Sequence, residues 1–323
     1  MTPRRLRIVF FGTPEFASAQ LDAIFQASIP ILAVVTAPDK PAGRGRKISY
    51  SAVKQYALSK NLPLLQPGNL KDPAFVDALN SLKADVYVVV AFRMLPKVVW
   101  QIPPRGTFNL HASLLPQYRG AAPINWAIIN GETETGLTTF FINEEIDAGQ
   151  VILQQKLKIH ADETAGLLHD RMMEAGKELV LNTIVKLADG NITLKDQGEM
   201  SSPLITLKTA PKIFREHCAI DWAMPLRRIH DFVRGLSPHP VAVTTLTGDH
   251  GRKQQLKLYE GSPEYDKHEF EPGNLLTDNK SWIKICHPEG YYIINHLQLP
   301  GKKVMDTASL LRGFKFEGKW RVL

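Results

Sequence analysis

Apolar and polar positions along the first 190 residues follow two alternating periods, one typical of strands and one typical of helices. Short apolar runs predict strands at residues 7–11, 31–36, 63–66, 85–92, 107–111, 136–142 and 151–159. Helical spacing occupies residues 14–27, 50–60, 72–82 and 163–188. Because these strands are apolar on both faces, the alternation predicts an α/β fold: an open, mainly parallel sheet with helices on both faces.

The pattern changes in the last third of the chain. Short β-type runs separated by Gly, Pro and Asp turns occupy residues 241–247, 255–260, 282–286 and 291–298, with one helical stretch near 225–234. This pattern predicts a small OB-like β-barrel of five strands, partly open. A polar stretch containing Ser201-Ser202-Pro203 predicts a linker. We therefore expect an α/β domain at 1–190, a linker at 191–207 and a barrel domain at 208–323.

Composition narrows the class of protein. The 323 residues are 44% apolar and 22% charged, which is the balance of a globular protein long enough for two domains. No apolar run approaches the roughly 20 residues of a membrane-spanning helix, and Ile8–Phe11 is too short for a signal peptide. We expect a cytoplasmic protein without membrane contact. Cys218 and Cys286 are too few for a disulfide framework or a zinc ribbon, so buried free thiols are expected.

The net charge of +7 is unevenly distributed along the chain. Residues 207–323 hold 18 Lys/Arg against 13 Asp/Glu, a net charge of +5, whereas the longer segment 1–206 has a net charge of +2. This bias favours a polyanionic partner such as nucleic acid. A basic surface that only aids solubility explains the charge equally well.

Several common motifs are missing. The segment Gly12–Phe16 after the first strand lacks the second and third glycines of a dinucleotide-binding G-x-G-x-x-G. Neither a phosphate-binding G-x-x-x-x-G-K-[ST] nor a zinc-binding H-E-x-x-H occurs, and the ten histidines show no ligand spacing. We therefore expect no metal.

The candidate chemistry lies in segment 108–123, where a strand ends in polar residues and enters a Pro- and Gly-containing stretch. Asn109 and His111 are two residues apart, so on an extended strand their side chains share one face. The acidic turn at Ile146–Gln150 is suited to bring Asp147 to the same rim. A purely structural interpretation stays open, in which Asn109 and His111 cap the strand end and Asp147 forms an Asx-turn.

The same segment carries a resemblance to a known family. Asn109–Ile124, followed by Ile146–Gly149, resembles formyltransferases that use 10-formyltetrahydrofolate. Ile8–Ala17 and Ala37–Lys47 are similar to the methionyl-tRNA formyltransferase family in particular. Phe232–Pro240 and Pro300–Lys303 resemble that family's C-terminal barrel, so the resemblance covers nearly the whole chain.

This resemblance implies transfer of a formyl group from 10-formyltetrahydrofolate to the methionine amino group of initiator methionyl-tRNA, by a monomer that needs no metal. It implies that Asn109 and a protonated His111 stabilise the developing oxyanion and that Asp147 controls the proton. The residues it implies for the folate pocket are Ala91, Phe92, Arg93, Met94, Leu95, Ser113, Leu114, Leu115 and Pro116. The residues implied for tRNA binding are Lys40, Arg44, Arg46 and Lys47.

Two departures from the family pattern stand out. Many members have Ala-Tyr-Gly where this chain has Ala91-Phe92-Arg93, so the expected glycine is missing from the folate pocket. His239 stands where an aromatic residue is frequent.

Three other interpretations remain open at this stage. A formyltransferase for an amino-sugar nucleotide would keep Asn109, His111 and Asp147 and change only the acceptor. A catalytically silent RNA-binding protein would keep the basic surfaces without needing the three polar residues together. A hydrolase of formylfolate would use water in place of the amine.

Overall fold

A computed structural model describes residues 6–42, 47–200 and 206–323. The chain divides into two compact units, the first within Met1–Gly120, Glu134–Lys158 and His169–Thr209, and the second within Ala121–Thr133, Ile159–Leu168 and Ala210–Leu323. No helix among the residues that the structure describes is long and apolar enough to cross a lipid bilayer.

Strands and helices alternate through the first 200 residues. The strands are β1 (Ile8–Gly12), β2 (Ile31–Val35), β3 (Lys40–Ala42), β4 (Lys47–Ser49), β5 (Leu64–Leu65), β6 (Val86–Val90), β7 (Thr107–His111), β8 (Arg119–Gly120), β9 (Glu134–Phe141) and β10 (Val151–Lys158). The helices are α1 (Glu15–Gln26), α2 (Ala52–Ser59), α3 (Pro73–Leu82), α4 (Lys97–Trp100), α5 (Pro123–Ile129), α6 (Ala165–Asp189) and α7 (Gln197–Met200). Each strand and helix predicted in this region is confirmed to within a few residues.

The first unit is built on one sheet with the strand order β10-β9-β7-β6-β1-β2-β5. β1 pairs in parallel with β2 and β6, and β6 pairs in parallel with β7, whereas β9 and β10 are antiparallel. All five residues of β1 and of β6 are buried, which requires cover on both faces of the sheet. The predicted open, mainly parallel sheet is confirmed.

The second unit contains an antiparallel barrel. Its strands are β12 (Ala242–Gly248), β13 (Lys253–Tyr265), β14 (Leu275–Thr277), β15 (Ile283–His287), β16 (Gly290–Gln298), β17 (Met305–Asp306) and β18 (Trp320–Val322). Six of them follow the order β14-β15-β16-β13-β12-β18, and β17 pairs with β16 outside this order. A bridge from Asn274 to Arg321 links the two ends into a nearly closed ring. The predicted barrel is confirmed. Its strand count is higher than the five expected, because strands of two or three residues are too short to show a period.

Helical and short elements complete this unit. They are two 3-10 turns at Arg215–Cys218 and Asp249–Gly251, and the helices α8 (Leu226–Leu236) and α9 (Thr307–Gly313). The short strand β11 (Thr209–Ala210) has one residue in each unit. The core of the unit includes Leu226, Ile229 and Val233 from α8, packed with apolar residues of the barrel strands. Cys218 and Cys286 are buried free thiols, and burial raises the pKa of Cys286 to about 11.

The compact units do not follow the chain in two consecutive pieces. Segments 121–133 and 159–168 lie in the second unit although both precede residue 190. Residues 191–200, 206 and 207, from the predicted linker, lie in the first unit, and Ser201-Ser202-Pro203 fall outside the described residues. The predicted domain boundaries stay a prediction.

Candidate active site

Two of the candidate side chains come from the end of strand β7. Asn109 pairs in register with Val89 of β6 and with Phe140 of β9, and His111 pairs with Thr138. This places both at the carboxyl edge of the parallel strands, where open α/β sheets form their sites. Sequence alternation puts the two on one face, as expected for residues two apart.

The buried ring of His111 is held by one nitrogen and leaves the other facing Asp147. Its Nε2 donates a hydrogen bond of 2.9 Å to the carbonyl oxygen of Tyr118. Its Nδ1 lies 3.8 Å from Oδ2 of Asp147. Because the carbonyl engages Nε2–H, Nδ1 is the nitrogen available for chemistry. The structure therefore brings together two residues that the sequence separates by 36 positions.

Asp147 lies in a tight turn that is held by a hydrogen bond from Gly120 and by close packing at Gly149. Its carboxylate Oδ2 accepts a hydrogen bond of 3.0 Å from the backbone N–H of Gly120. Its side chain is only 16% exposed, which strengthens its electrostatic effect on neighbouring groups. A Cβ on Gly149 would lie 1.7 Å from the carbonyl oxygen of Phe141, so only glycine fits two residues after Asp147.

Asn109 carries an unpaired polar atom. Its Oδ1 is buried and has no hydrogen-bond partner in the described part of the chain. A buried polar atom without a partner costs about 1–3 kcal/mol. A ligand that pairs with this amide would remove that cost, so Asn109 is poised for a polar ligand.

Left-handed backbone conformations occur at three residues in the segments around this site. Ala91 (φ 46°), Tyr118 (φ 60°) and Asp147 (φ 53°) all adopt the left-handed conformation that favours glycine. Ala91 follows the end of β6, Tyr118 holds His111, and Asp147 is itself a candidate. Alanine has no side chain that could form a local hydrogen bond, so at Ala91 the surrounding structure must impose the conformation, as it does at functional sites.

The predicted folate residues at 113–116 form a tightly bonded segment. Ser113 is buried and its hydroxyl donates to the carbonyl oxygen of Gln117 at 2.6 Å. The N–H of Leu115 donates to Oγ1 of Thr138 at 3.1 Å, and its carbonyl accepts from Gln154 at 2.8 Å. The polar groups of Ser113 and Leu115 are thus used within the protein. Leu114 is half-buried and Pro116 follows a cis peptide bond.

The second predicted folate segment, 91–95, borders an open cavity of about 560 Å³. Arg93 donates to the carbonyl oxygens of Pro67 and Gly68, and Met94 is 77% exposed. Leu95 is buried and Phe92 packs against the same apolar core. The cavity is lined by Gly68, Asn69, Leu70, Lys71, Arg93, Met94, Pro96, Lys97 and Val98.

The predicted basic segment lies on a small hairpin. β3 and β4 pair antiparallel, with Lys40 opposite Ser49 and Lys47 opposite Ala42. Arg44 and Arg46 lie outside the described residues, between the two strands. The start of the hairpin is anchored at Asp39, which pairs with Lys54 at 2.5 Å and accepts from Gln66 at 2.9 Å.

Sequence reasoning missed the residues that hold the candidate side chains. Tyr118, Arg119 and Gly120 belong to the quoted motif, but nothing in the sequence shows that their backbone contacts His111 and Asp147. Gln197 donates to the carbonyl oxygens of Asp147 and Gly149, and it lies in the predicted linker without any motif to mark it. No group of three or more His, Cys, Asp or Glu side chains suited to a metal occurs within 6–42, 47–200 and 206–323.

Comparison with known families gives matches along both units. The formyl transferase family model matches residues 6–184, and the model of the formyl transferase C-terminal domain matches residues 212–315. The methionyl-tRNA formyltransferase of Bacteroides thetaiotaomicron is 50% identical over 322 residues, covering 100% of both chains. That of Flavobacterium johnsoniae is 50% identical over 318 residues, covering 98% of this chain and 99% of its own.

Solved structures share the fold at low identity. WlaRD, a sugar 3N-formyltransferase crystallised in the presence of dTDP and 5-N-formyl-THF, aligns with a TM-score of 0.60 at 17% identity, over 93% of this chain and 100% of its own. HypX from Aquifex aeolicus, in complex with tetrahydrofolic acid, aligns with a TM-score of 0.63 at 19% identity, over 97% of this chain and 49% of its own. At such identities the likeness concerns the fold alone.

Proposed function

The chain belongs to the methionyl-tRNA formyltransferase family, and on this premise we propose that it transfers the formyl group of 10-formyltetrahydrofolate to the amino group of methionine on initiator tRNA. The products are N-formylmethionyl-tRNA and tetrahydrofolate. The observation that carries this proposal is the meeting of His111 and Asp147 at the edge of the sheet, on the strand that carries Asn109 with its buried, unpaired Oδ1. The predicted cytoplasmic location and monomeric state belong to the same proposal.

The proposed chemistry is attack of a neutral amine on the formyl carbon. A carbon–nitrogen bond forms to the methionine amine, and the carbonyl oxygen gains negative charge. The bond from the formyl carbon to N10 of the folate then breaks, and the proton lost by the amine goes to the leaving nitrogen. The protein must therefore stabilise an oxyanion and move one proton.

The three candidate residues fit these two tasks. His111 uses Nε2–H on the Tyr118 carbonyl, so its Nδ1–H is the donor to the oxyanion. The Nδ2–H of Asn109, and not its unpaired Oδ1, is the second donor. The carboxylate of Asp147 faces Nδ1 of His111. At 3.8 Å it is too far to engage Nδ1–H in a normal hydrogen bond, which leaves that proton for the substrate. Asp147 also accepts the proton from the amine, directly or through water.

The folate donor fits the cavity beside Ala91–Leu95. A folate carries a flat pterin ring with several hydrogen-bonding groups, a benzoyl ring and an anionic glutamate tail. Leu70, Met94 and Val98 give the cavity apolar surface, and Lys71, Arg93 and Lys97 line it with positive charge. We infer that the tail carboxylates lie on this basic side.

The tRNA acceptor fits the basic surfaces. Residues 207–323 carry a net charge of +5, and the hairpin strands β3 and β4 carry Lys40 and Lys47 on either side of Arg44 and Arg46. Phosphate contacts by such groups dominate nucleic-acid affinity and make it dependent on salt. Replacing Arg44 and Arg46 by Ala should raise the KM for methionyl-tRNA and leave the KM for folate unchanged. An equal loss for folate would instead place this segment in the folate pocket.

The experiment that tests the function compares acceptors. The purified protein is supplied with 10-formyltetrahydrofolate and methionyl-tRNA, an amino-sugar nucleotide, or no acceptor, and release of tetrahydrofolate is followed. We expect release with methionyl-tRNA only. Release with the sugar nucleotide would make the protein a sugar formyltransferase, release without acceptor would make it a hydrolase, and no release in any arm would overturn the enzymatic proposal.

A further inference from the structure

A short segment of the predicted linker contacts the turn that carries Asp147. Gln197, in α7, is buried, and its Nε2 donates to the carbonyl oxygens of Asp147 at 2.9 Å and Gly149 at 2.7 Å. Two residues earlier, Lys195 exchanges backbone hydrogen bonds of 2.9 and 3.0 Å with Val151. The main chain of the left-handed turn at Asp147 is thus held by residues 195 and 197.

The same glutamine is bonded to the segment that holds His111. Arg119 donates from Nε and Nη2 to Oε1 of Gln197, at 3.0 and 2.6 Å. Arg119 lies between Tyr118, whose carbonyl accepts from His111, and Gly120, whose N–H donates to Asp147. One amide group therefore links the backbone that positions the histidine with the backbone that positions the aspartate.

From this network we propose that Gln197, acting with Arg119, is a positioning residue that sets the separation between His111 Nδ1 and Asp147 Oδ2. The inference rests on the proposed function for its kinetic effect and on the geometry alone for its structural effect. Gln197 is not a catalytic residue, because its own polar atoms are used by Asp147, Gly149 and Arg119.

Neither His111 nor Asp147 by itself fixes the distance between Nδ1 and Oδ2. A non-glycine residue with positive φ costs about 1–3 kcal/mol and relaxes when its surroundings allow it. Without the Gln197 amide, the carbonyls of Asp147 and Gly149 lose their donor, and the turn can rotate its carboxylate away from the imidazole. A displacement of about 1 Å in such a site can lower turnover on the order of 100-fold.

The test uses Gln197→Met, which keeps the length of the side chain and removes its polar atoms. Gln20 offers a matched control, since it is equally buried and its Nε2 donates to the carbonyl oxygens of Phe16 at 3.3 Å and Met173 at 2.8 Å, with no contact to the site. We expect Gln197→Met to lower kcat on the order of 10- to 100-fold. We expect Gln20→Met to lower thermal stability to a similar extent and leave kcat within about 2-fold.

Kinetic and spectroscopic readouts separate positioning from simple support of the fold. In Gln197→Met the pH profile of kcat should shift, and the KM for folate should change less than about 3-fold. The NMR chemical shifts of the His111 ring nitrogens should move as well, and this readout needs no turnover. Arg119→Met should give the same changes to a smaller extent, and Arg119→Met with Gln197→Met should lose less than the product of the single variants.

The outcomes are distinct. If the wild-type protein transfers no formyl group but the His111 signals still respond to Gln197→Met and not to Gln20→Met, the proposed function fails and the positioning inference stands. If kcat, its pH profile and the His111 signals match those of Gln20→Met, Gln197 only supports the fold and the inference is wrong. Should Gln197→Met not fold, Arg119→Met with unchanged kcat and unchanged His111 signals overturns it.

Discussion

Two buried histidines in this chain face aspartates, one in each compact unit, and only one pair has the features of a site. His111 and Asp147 are 7% and 16% exposed, and their nearest nitrogen and oxygen are 3.8 Å apart. His230 on α8 lies closer to its partner, 3.1 Å from Oδ1 of Asp162, but the Asp162 side chain is 85% exposed. Distance alone would select the second pair.

The groups around His230 show that the His230–Asp162 pair has a structural role. Burial lowers the pKa of His230, and the nearby guanidinium groups of Arg234 and Arg227 lower it further, while Asp162 opposes them. His230 is therefore held neutral, and its buried Nδ1 has no partner among the described residues. Arg234 is itself buried against Asp231 and the carbonyl of Glu163, as part of the packing of α8.

The first pair differs in what lies around it. His111 sits at a strand end with one nitrogen fixed by a carbonyl and one directed at a carboxylate. The strained turns at Tyr118 and Asp147 and the unpaired amide of Asn109 are in the same segments. A histidine–aspartate contact becomes a candidate site when a second buried polar side chain and imposed backbone geometry accompany it.

The largest expected effect comes from removing the first pair. His111→Ala or Asp147→Ala should each lower kcat on the order of 100-fold or more, because an oxyanion donor or a proton acceptor is lost. Asn109→Ala should do the same, and double variants should lose much less than the product of the singles. Steady-state formyl transfer measures this, with His230→Gln as the comparison. Near-wild-type turnover in any of the three would remove that residue from the mechanism.

Displacing the Asp147 turn without touching its side chain should have the next largest effect. Gly149→Ala places a methyl group against the Phe141 carbonyl, so the turn must shift, and we expect a loss of stability of about 1–3 kcal/mol together with lower kcat. Gly313→Ala, where no atom lies within 4 Å of the added methyl group, is the control. Denaturant unfolding and kcat are measured for both. Equal stability and equal kcat of Gly149→Ala and Gly313→Ala would show that the turn tolerates movement.

The second histidine should affect stability in a pH-dependent manner. An unfolded histidine has a pKa of about 6.5, and the folded state holds the pKa of His230 lower. As the pH falls below about 6.5, the unfolded state takes up a proton on His230 before the folded state does. The free energy of unfolding therefore decreases, by at most about 1.4 kcal/mol per pH unit. His230→Gln should flatten this decrease and leave the stability above about pH 8 nearly unchanged. An identical pH dependence in wild type and variant would contradict this assignment.

The smallest effect is expected at Asp162. Because its side chain is largely in solvent, Asp162→Asn should change the free energy of unfolding by less than about 0.5 kcal/mol and leave kcat within about 2-fold. Since Asp162 raises the pKa of His230, the variant should lose stability slightly more steeply in acid. A large loss of activity in Asp162→Asn would show that the His230–Asp162 pair takes part in formyl transfer, contrary to this assignment.

Local pattern was sufficient to predict most of the fold. The buried strand Val86–Val90 and the long helix Ala165–Asp189 were predicted from spacing that is a property of neighbouring residues. Asn109, His111 and Asp147 were identified as candidates because strand periodicity and the family motifs place them at strand ends. Short strands such as Met305–Asp306 could not be predicted, since they exist only through pairing with β16.

The sequence by itself determined the α/β unit, the barrel and the three polar residues, because each depends on local spacing or a contiguous motif. Tertiary structure alone decided which nitrogen of His111 faces Asp147, through the carbonyl of Tyr118. It also decided that Ala91 takes a left-handed conformation, and that Gln197 from the predicted linker bonds the Asp147 turn. These contacts join residues far apart in the chain, and no local propensity encodes which distant backbone group a polar side chain will meet.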